Sequence, residues 1–370
     1  MIVSLANRNL NSRGGSSRVC LNILQVMREH GYNVRIFTKT PVNWNALSEW
    51  YDFPIKSDVD INLQPIEFGF LGKYEKLFSV LPIRLHRSDL FFNTSADFFP
   101  FLYSRSCRNL AYCHFPVVGP ISQNDLPAKY SSGLWRLYFE PYRRLLNRAI
   151  SEACRHTKFL TNSEFSRKAI KNSLGVEAKV VYPPVNVERF EGSEILDSRE
   201  DSVVTICRFD PSKNIELIFQ ILPSLPRNIK WHIIGSVDRN SLRYFEKLKQ
   251  KAVEFKMAER INFWPNASES EIVRTLGISK VYFHPTRGEH FGISIVEAMS
   301  AGLVPVVWDF GGCAEIVPRK WQFSKKEEAG KKIVQALDSP KSESEAMRMI
   351  ARNFSATRFR REIAQEIEHS

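Results

Sequence analysis

Short strand-like apolar runs alternate with longer helical stretches along this chain, and the alternation halts once and then restarts. That rhythm fits a parallel sheet covered by helices, because each parallel crossover must carry the chain back along the sheet before the next strand can begin. Ile2 to Ala6 forms the first run and Asn7 to Gly15 a polar loop. In Ser16 to His30, Val19, Ile23, Val26 and Met27 recur at helical spacing, Gly31 marks the stop, and Asn33 to Thr38 makes the second strand. Strand-like runs at Asn109 to His114, Lys158 to Asn162 and Lys179 to Tyr182 follow, with helical patterns at Leu134 to Ala153 and Ser163 to Leu174.

The polar, acidic stretch from Asn186 to Ser202 reads as an interdomain connection. Strands are then predicted at Ser202 to Cys207, Lys230 to Ile234, Ile261 to Phe263, Val281 to His284 and Val304 to Trp308. Helices are predicted from about Asn214, near Asn240 to Phe255, near Glu269 to Leu276 and from about Ile293. The chain of 370 residues suits two cores. The predicted fold class is α/β, with two doubly wound Rossmann-like domains over residues 1–185 and 186–345 and a cleft between them. A helical segment, 346–370, is expected to pack back on the first domain. In such sheets ligands bind beyond the carboxyl ends of the strands.

Composition excludes disorder and low-complexity arrays, with 43% hydrophobic and 25% charged residues. Charge is the unusual feature. The net is +12, and residues 1–185 hold 24 basic against 14 acidic groups, so the first half carries nearly all of the excess. Nucleic acid, an anionic membrane surface or a phosphorylated substrate would each answer it, as would a solvated surface. The six cysteines, at 20, 107, 113, 154, 207 and 313, lack disulfide or zinc spacing and read as reduced thiols of a cytoplasmic protein. No basic leader precedes the first strand, and no apolar run reaches ~18 residues, so any membrane contact is expected to be peripheral.

The most informative stretch runs from Tyr282 through His284, Glu289, His290, Phe291, Gly292, Ile293, Ser294 and Glu297 to Gly302. A strand leads to a loop with Glu289 at its tip. Gly292 permits close backbone approach, and the next helix aims its free N–H groups and positive dipole end at the ligand, a ready anion site. Glu297 lies four residues into that helix, about 6 Å along. Carboxylates flanking an anion site suit hydroxyl groups rather than phosphates, and sugars beside a diphosphate supply hydroxyls.

This stretch closely resembles the Glu-x7-Glu signature of family 4 of the retaining glycosyltransferases, which have the GT-B fold. Gly14-Gly15, Tyr112-Cys113-His114-Phe115-Pro116, Thr161-Asn162-Ser163, Val180 to Asn186, Arg208 with Lys213, and Gly311-Gly312-Cys313-Ala314-Glu315 add to the resemblance in the family's order. It implies a hexosyltransferase using a nucleotide sugar of the GDP-mannose or UDP-glucose type, with no metal required. Arg208 and Lys213 would hold the donor diphosphate, and Glu297 the ribose. Glu289, with the backbone of Phe291 and Gly292, would hold the hexose, and Ile293 would belong to the donor site. Gly14 and Gly15 would bring N–H groups to the phosphate, His114 would contact the transferred sugar, and Pro265, Asn266 and Ile272 would lie near the base. Asn162 and Ser163 also read as a helix cap. The implied mechanism is front-face substitution, in which the leaving diphosphate takes the acceptor proton, rather than a covalent glycosyl-enzyme.

The wording around His114 and Glu289 is most like members that add mannose to lipid-linked oligosaccharides. The expected acceptor is therefore a glycan or a polyprenyl- or dolichol-linked oligosaccharide. Lys73 to Arg87 and Lys129 to Arg148 mix basic and aromatic residues, which suits either an anionic membrane surface on the cytoplasmic face or a helix buried on the first sheet. A soluble disaccharide synthase or epimerase of the same fold is the alternative enzyme. A nucleic-acid-binding protein has only the charge in its favour, and no nucleic-acid partner is expected. Asp58-Val59-Asp60 resembles a metal motif and Asp309-Phe310-Gly311 a kinase motif, each without its supporting pattern.

Overall fold

The computed structural model describes residues 1–12, 14–51, 54–62, 74, 80–95, 97–102, 104, 108–116, 133–190 and 199–369. Cys107, Lys129, Tyr130, most of the segment 73–79, the side chain of Trp135 and connection residues 191–198 lie outside the described residues.

Two compact units form, one from Met1–Pro184 with Thr357–Ser370, the other from Val185–Ala356. Among the described residues the first unit holds a seven-stranded parallel sheet in the order β3-β2-β1-β4-β5-β6-β7. Its strands are β1 (Ile2–Ala6), β2 (Asn33–Thr38), β3 (Val59–Asn62), β4 (Leu90–Asn93), β5 (Arg108–Cys113), β6 (Lys158–Thr161) and β7 (Ala178–Val180). Because both faces are covered, alternate residues fill two different cores. Val3, Leu5, Leu90, Phe92, Leu110, Tyr112 and Leu160 pack under the helix Gly15–Glu29. Ala6, Phe91, Ala111, Cys113 and Phe159 pack on the opposite side, under the helix Gly133–His156.

The second unit holds β8 (Glu200–Ile206), β9 (Lys230–Gly235), β10 (Ile261–Pro265), β11 (Ser279–Phe283), β12 (Val304–Trp308) and β13 (Gln322–Phe323), all parallel, in the order β10-β9-β8-β11-β12-β13. That order reverses direction between β8 and β11. Loops leaving two such strands diverge to opposite faces of the sheet and leave a crevice at their carboxyl ends, where doubly wound folds bind ligands.

Two expectations need correction. Asn214 does not begin a helix. It stands in the left-handed region, at φ 52°, closing the short 3-10 turn Pro211–Lys213, and the helix that follows is only Leu217–Ile221. The carboxylate of Asp210 caps Ser212 N–H, and asparagine tolerates the left-handed turn that ends it.

The C-terminal segment also divides later than residue 346. The helix Lys341–Arg352 stays with the second unit, where it buries Met347 and Ala351 and packs on the helix Ile293–Ser300. Only the helix Ala356–Glu368 serves the first unit, placing Phe359, Ile363 and Ile367 in the core beside Leu5 and Tyr112. In the described part of the basic-aromatic segment, from 136 to 148, the two residue types separate by face. Phe139 and Tyr142 are buried, while Arg136, Leu137, Arg144 and Arg148 are exposed.

Candidate active site

The loops leaving β8, β11 and β12 are tied to one another within the second unit. Thr286 Oγ1 donates to Lys213 O at 3.2 Å, and Asn214 Nδ2 donates to Pro285 O at 3.4 Å. Gly288 N–H donates to Phe310 O at 3.0 Å and Gly312 N–H to Glu289 O at 2.7 Å, around a parallel bridge between Glu289 and Gly311. Gly311 has φ 118°, and a Cβ there would lie 2.7 Å from Glu289 O, so only glycine lets the two loops close.

Glu289 sits at the centre of this assembly. Its Oε2 accepts from Lys213 Nζ at 2.7 Å and lies 3.2 Å from His284 Nε2, while Oε1 accepts from His290 N–H at 3.2 Å. Burial opposes its charge, but the hydrogen bond and charge of His284 and the Lys213 ammonium outweigh that and hold the carboxyl well below the usual carboxylate range. Glu289 is thus an oriented, ionised acceptor. Burial pushes the neighbouring His290 imidazole down.

Arg208 lies two residues past the end of β8. It is exposed and pairs with no carboxylate among the described residues, so it has charge to offer a ligand. Lys213 differs, being only 20% exposed at its side chain and already engaged by Glu289. An incoming anion must compete for it.

The helix Ile293–Ser300 starts from Gly292, whose φ of 100° brings the chain round sharply; no side chain caps its first turn and no acidic residue lies in it. Ser294 Oγ donates to Ile206 O at 3.2 Å, which anchors the helix start beside the end of β8. Uncapped N–H groups, the helix dipole and Arg208 therefore lie at the β8/β11 switch point with Glu289. Glu297 is half-buried one turn further on. Ile293 is half-buried at the helix start, whereas the Phe291 ring is 3% exposed and packs on Phe354, leaving only its backbone for a ligand.

The remaining residues expected to contribute are placed as follows. Asn266 closes a turn, its carboxamide accepting from Val237 N–H at 2.9 Å and donating to Val237 O at 3.1 Å. Gly14, Gly15 and His114 belong to the first unit. Gly14 precedes the helix that begins at Gly15 and supplies no side-chain cap, and His114 follows β5 with its ring 5.0 Å from that of Tyr112. Ser163 is a helix cap, accepting from Ser166 N–H at 3.0 Å.

Asp58 and Asp60 are held by neighbours, Asp58 by Arg28 and Val34 N–H, Asp60 by Trp44 and Ser57. Asp309 accepts from Ser324. Burial pushes the Cys207 and Cys313 thiols up to about 12, so neither is a thiolate near neutrality.

Sequence reasoning left His284 and Tyr282 without a role. The signal was parity: they are two apart in extended chain, Tyr282 within β11 and His284 directly after it, so they share a face, and His284 opens the loop that carries Glu289.

Comparison with known proteins follows the same two-part division. A model described as Glycosyltransferase Family 4 matches residues 13–189, and one described as Glycosyl transferases group 1 matches residues 186–354. The GDP-Man:Man(3)GlcNAc(2)-PP-Dol alpha-1,2-mannosyltransferase of Neurospora crassa is 26% identical over 314 residues, 73% of this chain but only 54% of that protein. The chain thus spans about half the length of that relative. The alpha-1,3/1,6-mannosyltransferase ALG2 of Kluyveromyces lactis is 26% identical over 361 residues, covering 82% of this chain and 69% of the relative. Among solved structures, Anabaena Alr3699/HepE in complex with UDP-glucose superposes with a TM-score of 0.76 over the whole of both chains at 17% identity, a likeness of fold. With two parallel-sheet units and both models placed in order along it, the chain belongs to the glycosyltransferases of the GT-B fold, a Glycosyltransferase Family 4 domain followed by a Glycosyl transferases group 1 domain.

Proposed function

We propose that the protein transfers a hexose, mannose or glucose, from a nucleotide-diphosphate sugar to a glycan or lipid-linked oligosaccharide, with retention of configuration. The observation that carries this reading is the ionised Glu289, held between Lys213 and His284 at the switch point of the second sheet, beside Arg208 and an uncapped helix start. A carboxylate so fixed accepts hydrogen bonds from sugar hydroxyls, and the adjacent cations and N–H groups receive the diphosphate. As the glycosidic bond breaks, negative charge grows on the leaving diphosphate, and these groups stabilise it. That diphosphate takes the acceptor's proton on the same face of the sugar, so no nucleophilic carboxylate is needed.

Thermal shift with GDP, UDP and ADP and with their hexose conjugates tests the donor. One nucleotide pair is expected to raise Tm, by roughly 3 kcal/mol of stabilisation at 100 times its Kd. No shift with any of them would remove the reading. In this scheme no metal takes part, and transfer is expected to persist in a chelator; its loss, restored by a divalent ion, would require a revised mechanism.

The mannosyltransferase relatives favour a dolichol- or polyprenyl-linked acceptor, and the first unit has features that suit a peripheral membrane contact on the cytoplasmic face. No helix among the described residues is long and apolar enough to cross a membrane. Leu137 and Leu85 are each 72% exposed, with exposed Arg136, Arg144 and Arg148 on the same helix as the first and exposed Arg84 and Arg87 close in sequence to the second. Exposed leucines framed by arginines suit an anionic lipid surface. Co-sedimentation is expected with vesicles containing phosphatidylserine and to fall about tenfold or more in the double variant Arg144→Glu, Arg148→Glu, at ~1 kcal/mol for each cation near the surface. Equal binding to neutral vesicles would count against an electrostatic contact.

A further inference from the structure

We infer that His284 is a positioning residue that keeps Glu289 in place when Lys213 leaves it for the donor diphosphate; this rests on the reading of Glu289 as the group that holds the donor hexose. Both Lys213 and His284 reach the same oxygen of Glu289. A diphosphate carries more negative charge than one carboxylate and draws the ammonium toward itself, so Lys213 cannot be the permanent anchor. Without His284, only the His290 N–H would remain, on the other oxygen, and the ionised side chain would gain rotamer freedom as the sugar arrives.

His284 is built to stay. It is 2% exposed, and its backbone N–H donates to Val306 O at 3.0 Å. Its Nδ1 lies 3.5 Å from the Tyr282 hydroxyl, which is itself 2.8 Å from Ser294 Oγ and 3.2 Å from Ile206 O. With Nδ1 turned to Tyr282, Nε2 is the ring nitrogen left to donate to Glu289. The same network reaches Ser294 in the first turn of the helix Ile293–Ser300, but Ser294 has its own tie to Ile206 O, so the helix start stays anchored when His284 is changed.

Two near-isosteric replacements separate this role from packing. In His284→Gln the amide nitrogen falls near the Nε2 position and still reaches Glu289; in His284→Asn it falls near Nδ1 and does not. Calorimetry compares GDP-mannose with GDP, and UDP-glucose with UDP, so that the extra affinity contributed by the sugar is read separately. That extra affinity is expected to fall about 10- to 100-fold in His284→Asn, as for loss of one hydrogen bond to a charged group. His284→Gln is expected to stay within about threefold of wild type, and nucleoside diphosphate binding to be unchanged in both.

In a Glu289→Ala background, where no acceptor remains for His284 to hold, His284→Asn should have no further effect. An undiminished effect there, or a parallel fall in nucleoside diphosphate binding, indicates a packing role and overturns the assignment. If His284→Asn does not fold, His284→Gln decides: retained sugar affinity supports the role and a tenfold loss overturns it. A wild-type protein that binds neither sugar nucleotide more tightly than its nucleoside diphosphate overturns the donor reading itself, and this assignment with it.

Discussion

Replacing Arg208 by alanine is expected to lower kcat/KM for the sugar nucleotide by about 10²-fold or more, the loss typical of one group aimed at a developing anion. Arg208 is exposed just past the end of β8 and pairs with no carboxylate among the described residues, so its removal leaves no buried partner behind and should leave Tm nearly unchanged. Lys213→Ala should lower kcat/KM by a similar factor, but with a different signature. Its ammonium is 2.7 Å from Glu289, so the variant also leaves that carboxylate with His284 and one backbone N–H. The free protein should therefore lose stability in Lys213→Ala and not in Arg208→Ala, while the extra affinity contributed by the sugar is kept in both, because Lys213 has already left Glu289 once the donor is bound. Near-normal turnover in either variant would sink the assignment of both cations to the diphosphate.

The second large effect concerns stability. Phe359→Ala is expected to destabilise the first unit by roughly 3–5 kcal/mol, as for truncation of a buried aromatic side chain. Phe359 is fully buried, and its ring lies 6.1 Å from that of Tyr112, whose hydroxyl donates to Val181 O at 2.7 Å. At about 2–4 °C per kcal/mol for a unit of this size, Tm should drop by roughly 10 °C. A drop of under about 2 °C would show that the C-terminal helix is an appendage rather than part of the core.

The same helix brings a pH dependence. Burial opposes the charge of Glu366, but Lys179 at 2.5 Å and Lys158 at 2.9 Å outweigh it and hold its carboxyl below the usual range. A carboxyl whose pKa is lower folded than unfolded stabilises the protein above its unfolded value, and loses that contribution as pH falls through the folded one. Acid should therefore loosen this helix, and Glu366→Gln should flatten that part of the pH–stability curve.

Much of the architecture was legible because parallel sheets impose a strict local grammar. Runs such as Val304 to Trp308 are buried on both faces, so they read as continuous apolar strands, and the helices between them repeat at 3.6 residues. Short or polar strands were harder to see. β3 (Val59–Asn62) lies at the sheet edge with exposed or half-buried residues, and β13 (Gln322–Phe323) has two residues, so neither carries a pattern. Asn214 misled for a similar reason: a residue that ends a turn in the left-handed region looks, in a string of letters, like a helix start.

The site divides along the same line. Residue order alone placed Glu289, Gly292 and Glu297 on a strand-loop-helix unit, since spacing along one element is a property of the chain. It could not determine that Lys213, 76 residues away, closes on Glu289, or that His284 shares the same oxygen. Those contacts exist because the β8/β11 switch brings the ends of distant strands together and because Gly311 lets the next loop dock. Nor could it show that Phe139 and Tyr142 turn inward while Arg144 and Arg148 face solvent. Local periodicity determined the elements and their order; partners, burial and charge state arise only when strands far apart in sequence become neighbours, and only the tertiary structure decided them.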